Sequence, residues 1–138
     1  MDIKEVHNHL KNHDIRPLPH KIAIMQYLLE RYDHPTIEQI YNDLLPTMPT
    51  LSKTTVYNTL KLFCDNKVAT AMAIDERNVR YDVHSRTSKH AHFRCKKCNA
   101  IFDVPLEESD IPPCRNSEEF NLEETQVYFF GTCKSCKI

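Results

Sequence analysis

Apolar positions recur at helical spacing through the first half of the chain and alternate with polar ones through much of the second. Ile3, Val6 and Leu10 repeat three and four apart behind Asp2 and Glu5, a pair that reads as a capping box. Pro17 and Pro19 end that helix. Pro19 also suits the first turn of a second helix, whose stripe is Ile22, Met25, Leu28 and Leu29 with Ile24 and Tyr32 beside it. Thr36 and Gln39 read as another capping box, opening Ile37, Ile40, Tyr41 and Leu44, which Pro46 closes. Ser52 then caps a fourth helix that buries Val56, Leu60 and Phe63. Its opposite face carries Lys53, Thr54, Thr55, Tyr57, Asn58 and Lys61, and is polar, aromatic and mildly basic.

After Asn66 the pattern changes. Residues 68–74 and 79–83 are β-branched or alternating and flank the turn-rich Asp75-Glu76-Arg77-Asn78, which predicts a hairpin. Helices followed by a hairpin is the element order of a winged helix-turn-helix. The polar stretch 84–89 reads as a hinge. Beyond it, 90–94, 100–104 and 125–130 read as strands and 117–120 as a short helix, while the acidic segment 107–124 has no clear pattern. Glycine occurs once, at Gly131, so the eight prolines mark the breaks between elements.

At 138 residues the chain is one medium domain or two small ones. Each half alone would have a marginal core that benefits from a metal or a partner subunit, which points to a dimer. A net charge of −1 excludes a generically basic nucleic-acid binder, so any DNA contact must come from a local surface. The segment MDIKEVHNHLKNHD holds no apolar run of signal-peptide length, and no stretch approaches a membrane span. The expectation is a soluble, cytoplasmic protein that does not engage membranes.

Two CxxC pairs, Cys95/Cys98 and Cys133/Cys136, bracket the last third. Zn²⁺ takes four ligands in a tetrahedron, and a two-residue gap lets one tight turn aim two thiolates at one ion. A reducing compartment favours metal ligation over disulfides. Four thiolates leave no open position for substrate, so this zinc is expected to be structural. Cys64 and Cys114 read as buried free thiols.

His90-Ala91-His92 places two imidazoles on one side of a strand, because side chains alternate with period two. Asp103 follows on the next strand, Asp82 ends the hairpin and His34 lies in the turn before Pro35. Such nitrogen and oxygen donors suit Fe²⁺, Mn²⁺ or Zn²⁺. Taken singly, His34 also reads as a surface turn residue, Asp82 as a strand-end carboxylate and Asp103 as a solvated charge.

These features together resemble the ferric uptake regulator (Fur) family of metal-dependent bacterial repressors. The resemblance spans nearly the whole chain. It rests on Ser52-Lys53-Thr54-Thr55-Val56-Tyr57-Asn58-Thr59-Leu60, His34-Pro35-Thr36, Arg80-Tyr81-Asp82, His90-Ala91-His92 and both CxxC pairs. It implies an α+β chain with a winged helix-turn-helix DNA-binding domain over residues 1–83 and a hinge at 84–89. The rest, 90–138, would be a small α/β dimerisation domain with a three-stranded antiparallel sheet and the zinc site. The regulatory metal, Fe²⁺ or Mn²⁺, would lie between the two domains on His34, Asp82, His90, His92 and Asp103. DNA would be met by Arg16, Lys53, Thr54, Thr55, Tyr57, Asn58 and Lys61.

Aspartate at both carboxylate positions resembles the peroxide-sensing branch of the family, whereas iron-tuned members carry glutamate at the position of Asp103. Three departures stand out. Leu18-Pro19-His20-Lys21 replaces the usual TPQR loop, the stretch between Asp82 and His90 is long and contains His84, and Lys89 and Ala91 cannot supply a further metal site. The expected function is a homodimeric repressor of operator DNA that senses hydrogen peroxide through iron-catalysed oxidation of histidine ligands. An iron-responsive repressor is the alternative. A metallohydrolase is disfavoured because no general base or substrate pocket can be named, and a zinc-stapled interaction module would leave His34 and Asp82 unexplained.

Overall fold

The computed structural model describes residues 2–84 and 90–137. The expected hinge at 84–89 therefore lies outside the described residues except for His84. The chain divides into two compact units, 1–87 and 88–138.

The N-terminal unit is built on four helices, α1 (Ile3–Asn12), α2 (Pro19–Leu29), α3 (Ile37–Leu44) and α4 (Lys53–Asp65). Short side chains cap three of them. Asp2 accepts from Glu5 N while the Glu5 carboxylate reaches back to Asp2 N, completing the capping box. Pro19 occupies the first turn of α2, where its missing N–H costs nothing. Thr36 caps α3, but Gln39 turns its amide to Asp33 (3.0 Å) and does not close the expected box. Ser52 caps α4 by accepting from Thr55 N.

Their apolar faces meet in one core that includes Leu10, Met25, Ile40, Leu60 and Phe63. Helix α2 contacts α1, α3 and α4 and is apolar around most of its girth, so periodicity alone mis-sets its face. Ile24 is fully buried, Ile22 and Leu29 only partly, and Tyr32 lies beyond the helix, largely exposed. Ile3 is likewise exposed on α1. Phe63→Ala should destabilise this unit by about 3–5 kcal/mol in denaturant unfolding, because the ring is wholly enclosed.

The hairpin follows α4 as β1 (Thr70–Met72) and β2 (Arg80–Asp82), antiparallel with Thr70 opposite Asp82. The strands are shorter than the alternation suggested, with only three residue pairs in register.

The C-terminal unit holds β3 (His90–Cys95), β4 (Ile101–Pro105) and β5 (Tyr128–Gly131) in the order β4-β3-β5. The three-stranded sheet is as expected, but it is mixed and not antiparallel. β4 runs antiparallel to β3, whereas β5 runs parallel to it. The physical cause is the connection over 106–127, which is long enough to cross from β4 to the free edge of β3. The 117–120 helix reduces to one 3-10 turn, Ser117–Glu119, entered through Asn116 at φ 58°. Phe93 stands opposite Phe102 and Phe129, giving a row of rings on one face. Gly131 lies beside this row, and a Cβ there would sit 3.2 Å from the Phe93 ring.

Candidate metal centres and nucleic-acid face

Parallel pairing of β3 with β5 decides the sulfur site. Both strands run out at the same end of the sheet, so the turns that follow Cys95 and Gly131 are neighbours, tied by Lys96 N to Gly131 O (2.7 Å). The first turn closes through Asn99 N to Cys95 O (2.9 Å), with Asn99 at φ 62°. The second closes through Cys136 N to Cys133 O (3.0 Å). Cys95, Cys98, Cys133 and Cys136 then hold their four Sγ atoms within 4.8 Å of one another. The 3.8 Å between Cys98 Sγ and Cys133 Sγ matches the edge, about 3.8 Å, of a tetrahedron with zinc–sulfur bonds of about 2.3 Å.

The four thiols are electrostatically unequal. Backbone N–H groups of Cys98 (3.5 Å) and Cys133 (3.3 Å) point at Cys95 Sγ and lower its pKa to about 6. Cys136 is pushed up to about 12, first by its hydrogen bond with Cys133, then by desolvation and by the neighbouring sulfurs. Crowded sulfurs cannot all ionise together without a cation, and a divalent ion supplies that compensation. The donor set therefore fits a closed zinc site. Cys114 is exposed, contrary to expectation, because no core covers the 106–127 segment, and Cys64 is half-buried on α4.

Nitrogen and oxygen donors gather on the other face of the same sheet. His92 pairs with Asp103 across β3 and β4, and period two brings His90 to the same side. Asp103 Oδ1 lies 3.4 Å from His92 Nε2 and 3.6 Å from His90 Nε2, with the two rings edge to face at 4.7 Å. Two imidazoles thus converge on one carboxylate oxygen.

The remaining expected ligands belong to the N-terminal unit. Asp82 ends β2. Its Oδ1 accepts from His84 N (2.9 Å), and its buried Oδ2 has no hydrogen-bond partner among the described residues. His34 lies in the α2–α3 connection at φ 55°, on a turn joined to β2 by Tyr81 N to Pro35 O (3.0 Å). The His84 ring stacks on Tyr32 at 4.1 Å.

Sequence reasoning places Asp75 only in a turn and Arg80 only in a family motif, with no site role for either. Their buried ion pair (3.0 Å) lies beside this turn, with Arg80 Nε donating to His34 O and Nη2 to Asp33 O (3.2 Å). A cation and a carboxylate at the two ends of a predicted turn were the available signal.

On α4, Lys53, Thr54, Tyr57, Asn58 and Lys61 are exposed, as is Arg16 between α1 and α2. Tyr57 is 50% exposed, so it is not a core residue. Thr55 is half-buried and its hydroxyl is bonded to Ser52 (2.9 Å). Two of the cations already have carboxylate neighbours: Lys53 contacts Glu38 (2.8 Å) and Lys61 contacts Asp65 (3.8 Å). Both pairs are solvent-exposed, so each holds its cation only weakly.

The model of the ferric uptake regulator family matches residues 12–130. The peroxide-responsive repressor PerR of Staphylococcus epidermidis is 31% identical over 130 residues, covering 93% of this chain and 85% of that protein. Among solved structures, PerR from Streptococcus pyogenes, studied for peroxide sensing and gene regulation, is 28% identical with a TM-score of 0.54 and covers 98% of this chain and 92% of that one. The Helicobacter pylori ferric uptake regulator Fur superposes with a TM-score of 0.77 over 100% of this chain and 95% of that one. At 16% identity that match speaks for the fold alone.

Proposed function

The chain belongs to the ferric uptake regulator family, and on that premise we propose that it is a cytoplasmic, homodimeric repressor that holds operator DNA while metal is bound and releases it on exposure to hydrogen peroxide. Members of this family are transcriptional regulators and not enzymes.

The observation that carries the reading is the convergence of His90 and His92 on Asp103, on the same small sheet as the sulfur cluster. One unit thus offers two donor sets of opposite character. The thiolates suit zinc held for structure; the imidazoles and carboxylate suit Fe²⁺ or Mn²⁺. We assign His34 and Asp82 to the same regulatory set, making five protein ligands around an ion that accepts six. Aspartate at position 103 and the likeness to PerR support peroxide as the signal.

Bound Fe²⁺ supplies redox chemistry toward peroxide that Mn²⁺ and a thiolate-saturated zinc site do not. The ligand rings of His34 and His90 would be the groups oxidised, a ring carbon gaining one oxygen of hydrogen peroxide while the other oxygen leaves as water. An oxidised imidazole is a poorer ligand, so the set loosens. DNA is met by the exposed face of α4. Tyr57 offers its ring to a thymine methyl and its hydroxyl to phosphate, Thr54, Thr55 and Asn58 offer polar contacts, and Lys53, Lys61 and Arg16 supply charge to the backbone.

Mass spectrometry provides the test. Protein loaded with Fe²⁺ and given a low dose of peroxide should lose operator binding and gain one oxygen atom on the peptide holding His34 or His90. The Mn²⁺-loaded protein should do neither. Iron-dependent binding that ignores peroxide would favour an iron-responsive repressor, and loss of binding with oxidation at the cysteines alone would indicate a thiol switch.

A further inference from the structure

Arg80 lies outside the metal-ligand set, yet its guanidinium makes three separate contacts in a buried setting. Nη1 pairs with Asp75 Oδ2 (3.0 Å), Nε donates to His34 O and Nη2 to Asp33 O (3.2 Å). The Asp75 carboxylate is itself held in the turn between β1 and β2, where its Oδ1 accepts from Arg77 N (2.9 Å). Asp75 and Arg80 side chains are only 3% and 11% exposed, so neither is a surface charge with alternative partners in water.

We infer that Arg80 is a positioning residue: anchored by Asp75, it fixes the turn that presents His34 to the regulatory metal and ties that turn to the wing hairpin. The inference rests on the reading of His34 as a ligand.

Neutralising Asp75 would need only one edge of the guanidinium. The remaining donors go to two successive carbonyls of a segment 46 residues away in the chain, and those carbonyls flank the His34 backbone unit. His34 stands at φ 55°, a conformation uncommon for a residue with a Cβ. Pro35, next in the chain, is held to β2 by Tyr81 N, and Tyr32 stacks on His84. The segment 32–35 is therefore strapped to β2 and its extension at several points, with the central one made by a rigid, planar fork. A lysine could keep the charge opposite Asp75 but could not reproduce that fork.

The arrangement also gives metal occupancy a route to the wing. Restraint of the His34 turn restrains Arg80, then Asp75, then the backbone at Arg77. Coupling of this kind is reciprocal, so a wing held on DNA should in turn favour metal at His34.

The test uses the full-length, zinc-loaded protein and Co²⁺ as an optical probe of the nitrogen and oxygen site. Wild type, Arg80→Lys, Asp75→Asn and His34→Ala are titrated, with thermal melting followed in parallel and amide exchange measured across residues 74–80. Arg80→Lys should weaken Co²⁺ roughly 10–100-fold, the usual cost of losing a residue that orients a ligand. It should also remove the Co²⁺-induced protection of the wing segment expected for wild type. Asp75→Asn, which leaves the donors to the carbonyls in place, should weaken Co²⁺ less while still loosening the wing. Arg80→Lys with wild-type Co²⁺ affinity and wing protection would overturn the inference, as would unchanged values for Asp75→Asn should the lysine variant not fold. His34→Ala with undiminished affinity would overturn the regulatory-site reading itself. His34→Ala weakened beside an unaffected Arg80→Lys would overturn the positioning role alone.

Discussion

Cys95→Ser should lose zinc and unfold the C-terminal unit. Cys95 sits where β3 ends, fully buried, and its sulfur receives backbone N–H groups from both cysteine turns. Little else can substitute for it. Among the described residues, the buried hydrophobic ones in this unit are Ala91, Cys95 and Ile101, and Phe102, Phe120, Phe129 and Phe130 remain about half exposed. Against so small a core, the binding energy of a structural zinc, apparent values of about 10–16 kcal/mol, dominates the folded state. Losing one thiolate of four forfeits most of it and uncouples the two turns. Zinc analysis with size-exclusion chromatography checks the outcome. A folded dimer with full zinc content would refute the four-thiolate assignment.

His90→Ala should abolish metal-dependent operator binding and leave the fold intact. His90 shares Asp103 Oδ1 with His92, so its removal breaks a convergent set and is not the loss of an isolated donor. Residues that merely orient ligands cost roughly 10–100-fold in metal affinity, and loss of a ligand should exceed that range. The fold should tolerate the change because β3 keeps its backbone ladder to β4 and β5 and the sulfur cluster lies at the far end of the strand. Operator binding titrated with Mn²⁺ gives the answer: wild-type metal dependence in the variant would remove His90 from the site.

What could be read from the sequence divides by distance along the chain. The Asp2/Glu5 box and the Ser52 cap are contacts across three residues, and both form as read. Thr36 also caps as read, but Gln39 is drawn off by Asp33, a competitor six residues away that no cap motif includes. His90, His92 and Asp103 were legible together because period two and the hairpin after Cys95 fix their register. Strand direction was not legible. A half-buried strand alternates identically in parallel and antiparallel pairing, so nothing in 125–130 announced that β5 would follow β3. The second helix misled for a related reason: a helix packed on several sides carries no single stripe, so Ile24, read as beside the stripe, is fully buried while Ile22 and Leu29 within it are only partly so. Arg80 escaped because its two carbonyl partners, unlike Asp75, lie far back in the chain.

The crossed connection that lays β5 beside β3 also orders events in time. β3 and β4 meet through a tight turn and can zip locally on the microsecond scale of hairpins. β5 has no such neighbour, and the Cys98–Cys133 contact closes a loop of 35 residues, an entropic toll of about 3 kcal/mol before any contact rewards it. During refolding the first cysteine turn should therefore form first as half of a chelate, waiting for the second to arrive. The rate of the last step should rise with zinc concentration, and chains that reach it in a zinc-poor cell should wait there with Phe93 and Phe102 lacking the cover of Phe129, open to association with one another.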